Sequence, residues 1–234
     1  ILPLPVVVVS TGELVSPTLV MQPLTVTSLC KCRVKTTTEI EKMNNLHEKF
    51  VAVADEVGQV LLERENEIRG AMLALLSGNH VFYDGPPGTG KSMLCNAITK
   101  RIQGADIFQY LMTATTTDDA VIGPVKLSGL KEDRYEKRLD NGIANAHFIF
   151  LDEIWKSNDA VLNSMLEILN EGYITNDGKR VDVPLLTGFF ASNETPSDRD
   201  ELQALYDRIA FRFLVQPLNN YENEVAVLTG QTRA

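Results

Sequence analysis

Apolar and polar positions along the chain alternate between two periods. In residues 39–50 (EIEKMNNLHEKF), Ile40, Met43, Leu46/His47 and Phe50 recur at helical intervals and predict an amphipathic helix. A second helix is predicted over 64–77, with Ile68, Met72, Leu75 and Leu76 on one face. It ends at Ser77-Gly78, a helix C-cap signal. His80-Val-Phe-Tyr-Asp84 then reads as a short strand. Beyond it, Leu94, Ile98 and Ile102 recur every fourth residue and predict another helix. His147-Phe-Ile-Phe-Leu151 and the apolar run over 185–193 have no polar face, as expected of strands buried in a parallel sheet. Between them, Asn176-Asp-Gly178 is a strong turn signal for a hairpin over 173–186. The fold expected is α/β, a parallel sheet sandwiched by helices.

The first 38 residues follow a different pattern. They are rich in Val, Leu, Thr and Pro, and Glu13 is the only charge before Lys31. Pro3, Pro5, Pro17 and Pro23 interrupt every apolar run, so no stretch approaches the ~20 residues a membrane span needs. No basic segment precedes an apolar core, which argues against a signal peptide. Residues 1–38 read as an extended arm. The run Val6 to Val9 also allows an edge strand that pairs with a neighbouring subunit.

Between the predicted strand at 80–84 and the helix after it lies Gly85-Pro86-Pro87-Gly88-Thr89-Gly90-Lys91-Ser92. It fits G-x-x-x-x-G-K-[ST], a loop whose inward N–H groups cradle phosphate oxygens. Lys91 places a cation on the β- and γ-phosphates, and the Ser92 hydroxyl can ligate Mg²⁺. The helix N-terminus adds its dipole, and Met93 completes the nucleotide-contacting set.

About 60 residues downstream, Asp152 and Glu153 emerge at the carboxyl end of a buried strand, where open α/β sheets bind ligands. Asp152 is expected to hold Mg²⁺ through water, and Glu153 to polarise an attacking water as general base. The alternative is an acidic pair capping the helix near Ser157. Kinases of small molecules need no water-activating Glu. GTPases carry D-x-x-G and N-K-x-D elements; here Asp152 is followed by Glu-Ile-Trp and no N-K-x-D occurs, so a hydrolysing ATPase fits best. Asn193, at the tip of the third apolar strand, is placed to reach the γ-phosphate and the water, or simply starts a turn before Pro196. Arg208 and Arg212 are candidate arginine fingers, or surface arginines paired with the acidic stretch Asp198–Glu201.

Composition narrows these options. The chain has 234 residues and a formal net charge of −9, with a pI near 4.9. Such a balance disfavours a nucleic-acid motor. Cys30, Cys32 and Cys95 are too few for a disulfide framework, and none stands at ligand spacing from His47, His80 or His147. A Cys/His metal site is not expected, and the thiols suit a reducing, cytoplasmic compartment.

The order of phosphate loop, D-E strand, strand-end Asn and L-Y-D-R resembles that of AAA+ ATPases. The flanking text is similar to the MoxR group, and to its RavA branch in particular. The phrases that carry this are Leu62-Glu-Arg-Glu65 with Glu67-Ile-Arg69, Ala74-Leu-Leu-Ser-Gly78, Gly123-Pro124 and Arg134-Tyr-Glu136. The more selective ones are Phe150-Leu-Asp-Glu-Ile-Trp-Lys156, Ala191-Ser-Asn-Glu194 and Ala204-Leu-Tyr-Asp-Arg208. The likeness covers about residues 45–230.

The resemblance implies that Lys91 and Ser92 belong to Walker A, Asp152 and Glu153 to Walker B, and Asn193 to sensor 1. Arg208 corresponds to the finger, with Arg212 as second choice. The segment Val57–Leu62 lies where such proteins contact adenine. Residues 120–142 correspond to the helix-2 insert that faces a ring pore, and 173–186 to the pre-sensor-1 hairpin. The implied organisation is an arm (1–38), an AAA+ α/β domain (39–218), and the start of a helical lid (219–234). AAA+ modules continue into that lid with a sensor-2 arginine. Here the sequence stops at Ala234, with Arg233 too near the end for that role, so the lid is expected to be largely absent and the chain to be part of a longer one.

The function this implies is a ring-forming, hexameric ATPase that binds and hydrolyses Mg-ATP between subunits to remodel or assemble protein clients. Its expected partner is a von Willebrand factor A domain protein, with neither nucleic acid nor a membrane span involved. Two alternatives stand beside it, a nucleotide-gated scaffold with little hydrolysis and, further off, a nucleic-acid motor.

Overall fold

The computed structural model describes residues 24–25, 37–130, 134–140, 142–194 and 200–229. Strand β1 (Leu24–Thr25) pairs in parallel with β3 (Ile102–Gln103) of the same chain. Of the arm expected over 1–38, the rest up to residue 36 lies outside the described residues.

Helix α1 (Thr37–Val60) is longer than the 39–50 pattern suggests. It continues because Phe50, Val53 and Val57 keep one face buried past the point where charged residues dilute the sequence signal. Helix α2 (Glu65–Ser77) ends as expected, with Gly78 left-handed at φ 64° and its N–H returned to the Ala74 carbonyl. Strand β2 (Val81–Asp84) leads through the phosphate loop into α3 (Lys91–Thr99). The expected periodicity Leu94, Ile98, Ile102 holds only for its first two members. The helix ends at Thr99, and Ile102 is buried in β3 instead. A strand residue can occupy the same apolar space as a next helical turn, so the i+4 spacing alone does not separate them.

Then follow β4 (Ile107–Leu111), the short helices α4 (Asp118–Val121) and α5 (Leu127–Leu130), and β5 (Phe148–Asp152). Helix α6 (Asp159–Glu171), β6 (Tyr173–Asn176), β7 (Lys179–Asp182) and β8 (Thr187–Ser192) come next. The described chain closes with α7 (Asp200–Arg208), β9 (Phe211–Leu214) and α8 (Tyr221–Leu228).

Five strands form one sheet in the order β4-β5-β8-β2-β9, every pair parallel. The pleat sends alternate residues to opposite faces, and each face has its own apolar layer. Val81, Tyr83, Phe148, Phe150, Phe189 and Ala191 pack toward α1, α2 and α3. Phe82, Ile149, Leu151 and Phe190 pack toward α6, α7 and Trp155. This is why β2, β5 and β8 read as unbroken apolar runs. It is the parallel sheet between helices that the sequence pattern predicts. The AAA+ phrases meet in the second layer. The Trp155 ring lies 5.0 Å from Phe82 and 5.9 Å from Tyr206, so the I-W-K and L-Y-D-R segments are packed together.

The hairpin forms as predicted, a two-residue turn with Asp177 at φ 49° and Gly178 at φ 69°, both left-handed as a type I′ turn requires. Its Asn176 side chain accepts from the Lys137 N–H (2.8 Å) and donates to the Lys137 carbonyl (3.1 Å). Lys137 Nζ in turn pairs with Asp118 (3.0 Å), so hairpin and insert are tied together.

At the opposite end of β2 from the phosphate loop, His80 Nδ1 accepts from the Gly188 N–H (3.0 Å). Burial lowers its pKa from 6.5 to about 4, opposed by a hydrogen bond to the Leu169 main chain. The folded pKa lies below the unfolded one, so the stabilisation is complete above pH 6.5 and is lost as pH falls toward 4. Urea denaturation across that range should show a loss of up to about 3 kcal/mol. His80→Gln should lack that component.

Candidate functional site

The parallel register brings three strand ends level. Asp84 at the end of β2 lies opposite Ser192 at the end of β8, and Leu151, one residue before Asp152, lies opposite Phe190. The phosphate loop, the Asp152–Glu153 pair and Asn193 therefore leave adjacent strands on the same edge of the sheet, with β8 in the middle. That edge is the carboxyl end of the strands, where ligands of open α/β sheets bind.

The loop is shaped by close approach. A Cβ on Gly85 would stand 2.1 Å from the Val215 carbonyl oxygen, so only glycine fits against the strand leaving β9. Gly90 is left-handed at φ 85° and starts α3, aiming its first N–H groups into the loop. Lys91 is 8% exposed, and its Nζ donates to the Gly85 (2.6 Å) and Pro86 (2.9 Å) carbonyls. Burial pushes its pKa down, while the carboxylates of Asp152, Glu153 and Asp84 pull it back up. The ammonium is thus held inside the loop and close to the acidic strand ends. A phosphate entering the loop offers it stronger acceptors than two neutral carbonyls. Ser92 and Met93 are exposed at the start of α3, and Val57 and Leu61 are buried, Leu61 next to Gly90.

Asp152 accepts from the Glu153 N–H (3.0 Å), and Glu153 is left-handed at φ 54°, which turns its carboxylate back over the sheet edge. The pair does not cap the next helix; Asn158 does, accepting from the Val161 N–H. With its amide nitrogen turned to the carboxylate, as the surrounding acceptors require, Asn193 donates to Glu153 Oε2 (2.8 Å) and Oε1 (3.3 Å). Two residues separated in sequence by the hairpin thus meet directly.

Lys156, which sequence reasoning passes over, lies 3.3 Å from Glu153 and 3.7 Å from Glu194. It closes the Leu-Asp-Glu-Ile-Trp-Lys phrase, and the signal for its contact is the i,i+3 spacing from Glu153. Arg208 is exposed at the end of α7, with no hydrogen bond or ion pair among the described residues. Arg212 is committed elsewhere. It donates to the Ile209 (3.0 Å) and Tyr206 (2.7 Å) carbonyls and stacks 3.7 Å over the Tyr206 ring. Of the acidic stretch Asp198–Glu201 weighed as their partner, residues 198–199 lie outside the described residues.

No group of three His, Cys, Asp or Glu side chains converges among the described residues. A phosphate-loop Mg²⁺ site does not need one, since it combines a hydroxyl and a carboxylate with water and phosphate oxygens. The exposed Ser92 hydroxyl and the Asp152 carboxylate at the sheet edge fit that donor set.

Fold and site together define a phosphate-loop nucleotide-binding core of the AAA+ type. Residues 48–233 match the family described as the MoxR domain in the MoxR–vWA–β-propeller ternary systems, and the chain belongs to that MoxR family of AAA+ ATPases. The RavA likeness rests on the phrases quoted above. Protein MJ0079 of Methanocaldococcus jannaschii, itself uncharacterized, is 37% identical over 187 residues, covering 80% of this chain and 49% of the relative. The chaperone MoxR1 of Mycobacterium tuberculosis is 22% identical over 182 residues, covering 76% of this chain and 47% of the relative. The chain thus spans about half the length of the curated relatives it matches. A crystal structure titled as that of a "putative ATPase" from Cytophaga hutchinsonii shares the fold, with a TM-score of 0.60 and 20% identity over 80% of this chain and 58% of the other.

Lys91→Ala removes the ammonium that the loop holds on the Gly85 and Pro86 carbonyls, where an entering phosphate would compete for it. It should weaken MgADP binding, read by calorimetry, on the order of a hundredfold.

Proposed function

We propose that this chain is the motor core of a MoxR-type chaperone. It binds Mg-ATP at subunit interfaces of a ring, expected to be hexameric, and hydrolyses it to remodel or assemble a protein client. The observation that carries this reading is the meeting of the phosphate loop, the Asp152–Glu153 pair and Asn193 on three adjacent strand ends. The reading gives each residue one task. Residues Gly85 to Gly90 cradle the phosphates, and Lys91 neutralises them. Ser92 and Asp152 hold Mg²⁺, which when bound supplies charge neutralisation at the phosphates. Glu153 accepts a proton from the attacking water, and Asn193 holds Glu153 and that water in line.

Arg208 supports the interface part of the reading. It is exposed and makes no hydrogen bond or ion pair among the described residues, as suits a donor destined for a neighbour's active site, whereas Arg212 is tied to the end of α7 through Tyr206 and Ile209. The family's description supports a von Willebrand factor A domain protein as partner. No helix among the described residues is long and apolar enough to cross a membrane. The cytoplasm is the compartment proposed.

One observation favours the nucleotide-gated scaffold as a second reading. Glu153 already holds the Asn193 amide and the Lys156 ammonium, which occupy oxygens that a general base would turn to water. Phosphate release per subunit, measured across protein concentration, separates the two. A rate that rises with assembly supports the motor, and binding without turnover supports the scaffold. On the motor reading, Glu153→Gln keeps MgATP affinity and lowers turnover by about 10²–10⁴-fold. Arg208→Ala lowers turnover by a comparable or larger factor at unchanged affinity. Normal turnover by Glu153→Gln would falsify the mechanism.

A further inference from the structure

We propose that Glu63 and Arg64 form a clasp that couples the phosphate loop to the start of α8, making both positioning residues for the nucleotide site. The proposal rests on the nucleotide reading above.

The two residues lie in the link between α1 and α2. Arg64 is 6% exposed, and its hydrogen bonds all go to main-chain carbonyls. Nη2 reaches Gln216 (2.6 Å) and Thr89 (3.2 Å), Nε reaches Thr89 (3.4 Å), and Nη1 reaches Glu63 (2.7 Å). Burying a guanidinium against neutral carbonyls costs desolvation. What it secures is geometric. The rigid fork holds the phosphate loop at Thr89 and the segment after β9 at Gln216 in one fixed relation. The two are already in contact there, since the Val215 N–H donates to Asp84 (2.6 Å) and Gly85 sits against the Val215 carbonyl.

Glu63 completes the link. Its backbone is left-handed at φ 57°, a conformation that costs energy in a non-glycine residue and persists only where surroundings enforce it. Its carboxylate accepts from the Asn219 N–H (2.8 Å), the Asn220 N–H (3.0 Å) and Asn223 Nδ2 (2.8 Å). These donors, the Asn219 N–H foremost, hold its carboxyl below the usual carboxylate range. The carboxylate thus sits at the N-terminal end of α8, where free N–H groups and the helix dipole favour an anion. Helix α8 has no fully buried side chain and only Asn223, Val225 and Ala226 half-buried, so hydrogen bonds at its start carry much of its orientation. Its direction follows from Glu63, and the position of Glu63 follows from Arg64 and the loop. Ordering the loop around phosphates therefore orders the helix that follows the α/β core.

Hydrogen exchange of the full chain with and without MgADP tests this. In the unaltered chain, MgADP should slow exchange both over 86–92 and over 219–228. Glu63→Ala touches no loop residue. It should keep the protection of 86–92 while MgADP protection of 219–228 falls by about fivefold or more, the size of a typical coupling between sites. Arg64→Lys keeps the charge but not the fork, and should also uncouple 219–228. If Arg64→Lys fails to fold, Glu63→Ala on the surface still decides. A purely structural role would loosen both segments alike and lower the melting temperature, with MgADP protecting what remains in the same ratio; that result overturns the clasp. Equal MgADP protection of 219–228 in variant and unaltered chain also overturns it, as does its absence in an unaltered chain whose loop is protected. Protection of neither segment in the unaltered chain sinks the nucleotide reading and the clasp with it.

Discussion

Strand β8 is hydrogen-bonded on both sides, to β2 and to β5, and all three run the same way. The chemistry at the sheet edge depends on that register. Side chains alternate strictly along a strand, so a slip of one residue would turn every buried phenylalanine to the opposite face. Phe189 and Phe190 are both fully buried, one in each apolar layer, and Gly188 leaves the room that the Phe190 ring fills, since a Cβ there would stand 2.8 Å from it. The packing of the two layers thereby sets where each strand ends, to within one residue. The phosphate loop, the carboxylate pair and Asn193 inherit their positions from it.

Two features of the site follow from charge in a partly closed space. Lys91 is buried, hydrogen-bonded to two neutral carbonyls and in the field of three carboxylates, which keeps an ammonium inside the loop. Glu153 is turned by a left-handed backbone into contact with Asn193 and Lys156. Both side chains are positioned before any ligand arrives, which is how a site avoids reorganisation during reaction. The fold holds the rest of the machinery by similar means. Trp155, two residues past the acidic pair, packs on Tyr206, two residues before Arg208, and Arg212 stacks on that tyrosine. Strand β5 and the segment from Leu205 to Ile209 contribute to one apolar layer.

Much of this was legible along the chain because its signals are local. The phosphate loop is written in glycine spacing, and the hairpin in Asn-Asp-Gly, whose left-handed torsions few other residues adopt at low cost. The central strands are legible as apolar runs without a polar face. Errors arose where a local signal had two solutions. Ile102 continued a helical period but lies in a strand, and α1 extended beyond its visible pattern because tertiary packing supplied its buried face. Lys156, Glu63 and Arg64 stand inside phrases that carry the family resemblance but received no role, since each works through a partner that composition does not reveal.

The sequence by itself determined the class of fold, the phosphate-binding loop, the acidic strand end and the family resemblance, since each is written in short local patterns or in a series of them along the chain. The tertiary structure decided which of these groups meet. It paired Asn193 with Glu153, committed Arg212 to Tyr206 while leaving Arg208 exposed, and tied residues 63–64 to residues 89, 216 and 219–223. The physical reason is strand order. The arrangement β4-β5-β8-β2-β9 places side by side segments far apart in the chain. It is selected by the summed burial of two apolar layers, a property of the whole molecule that no short stretch of sequence contains.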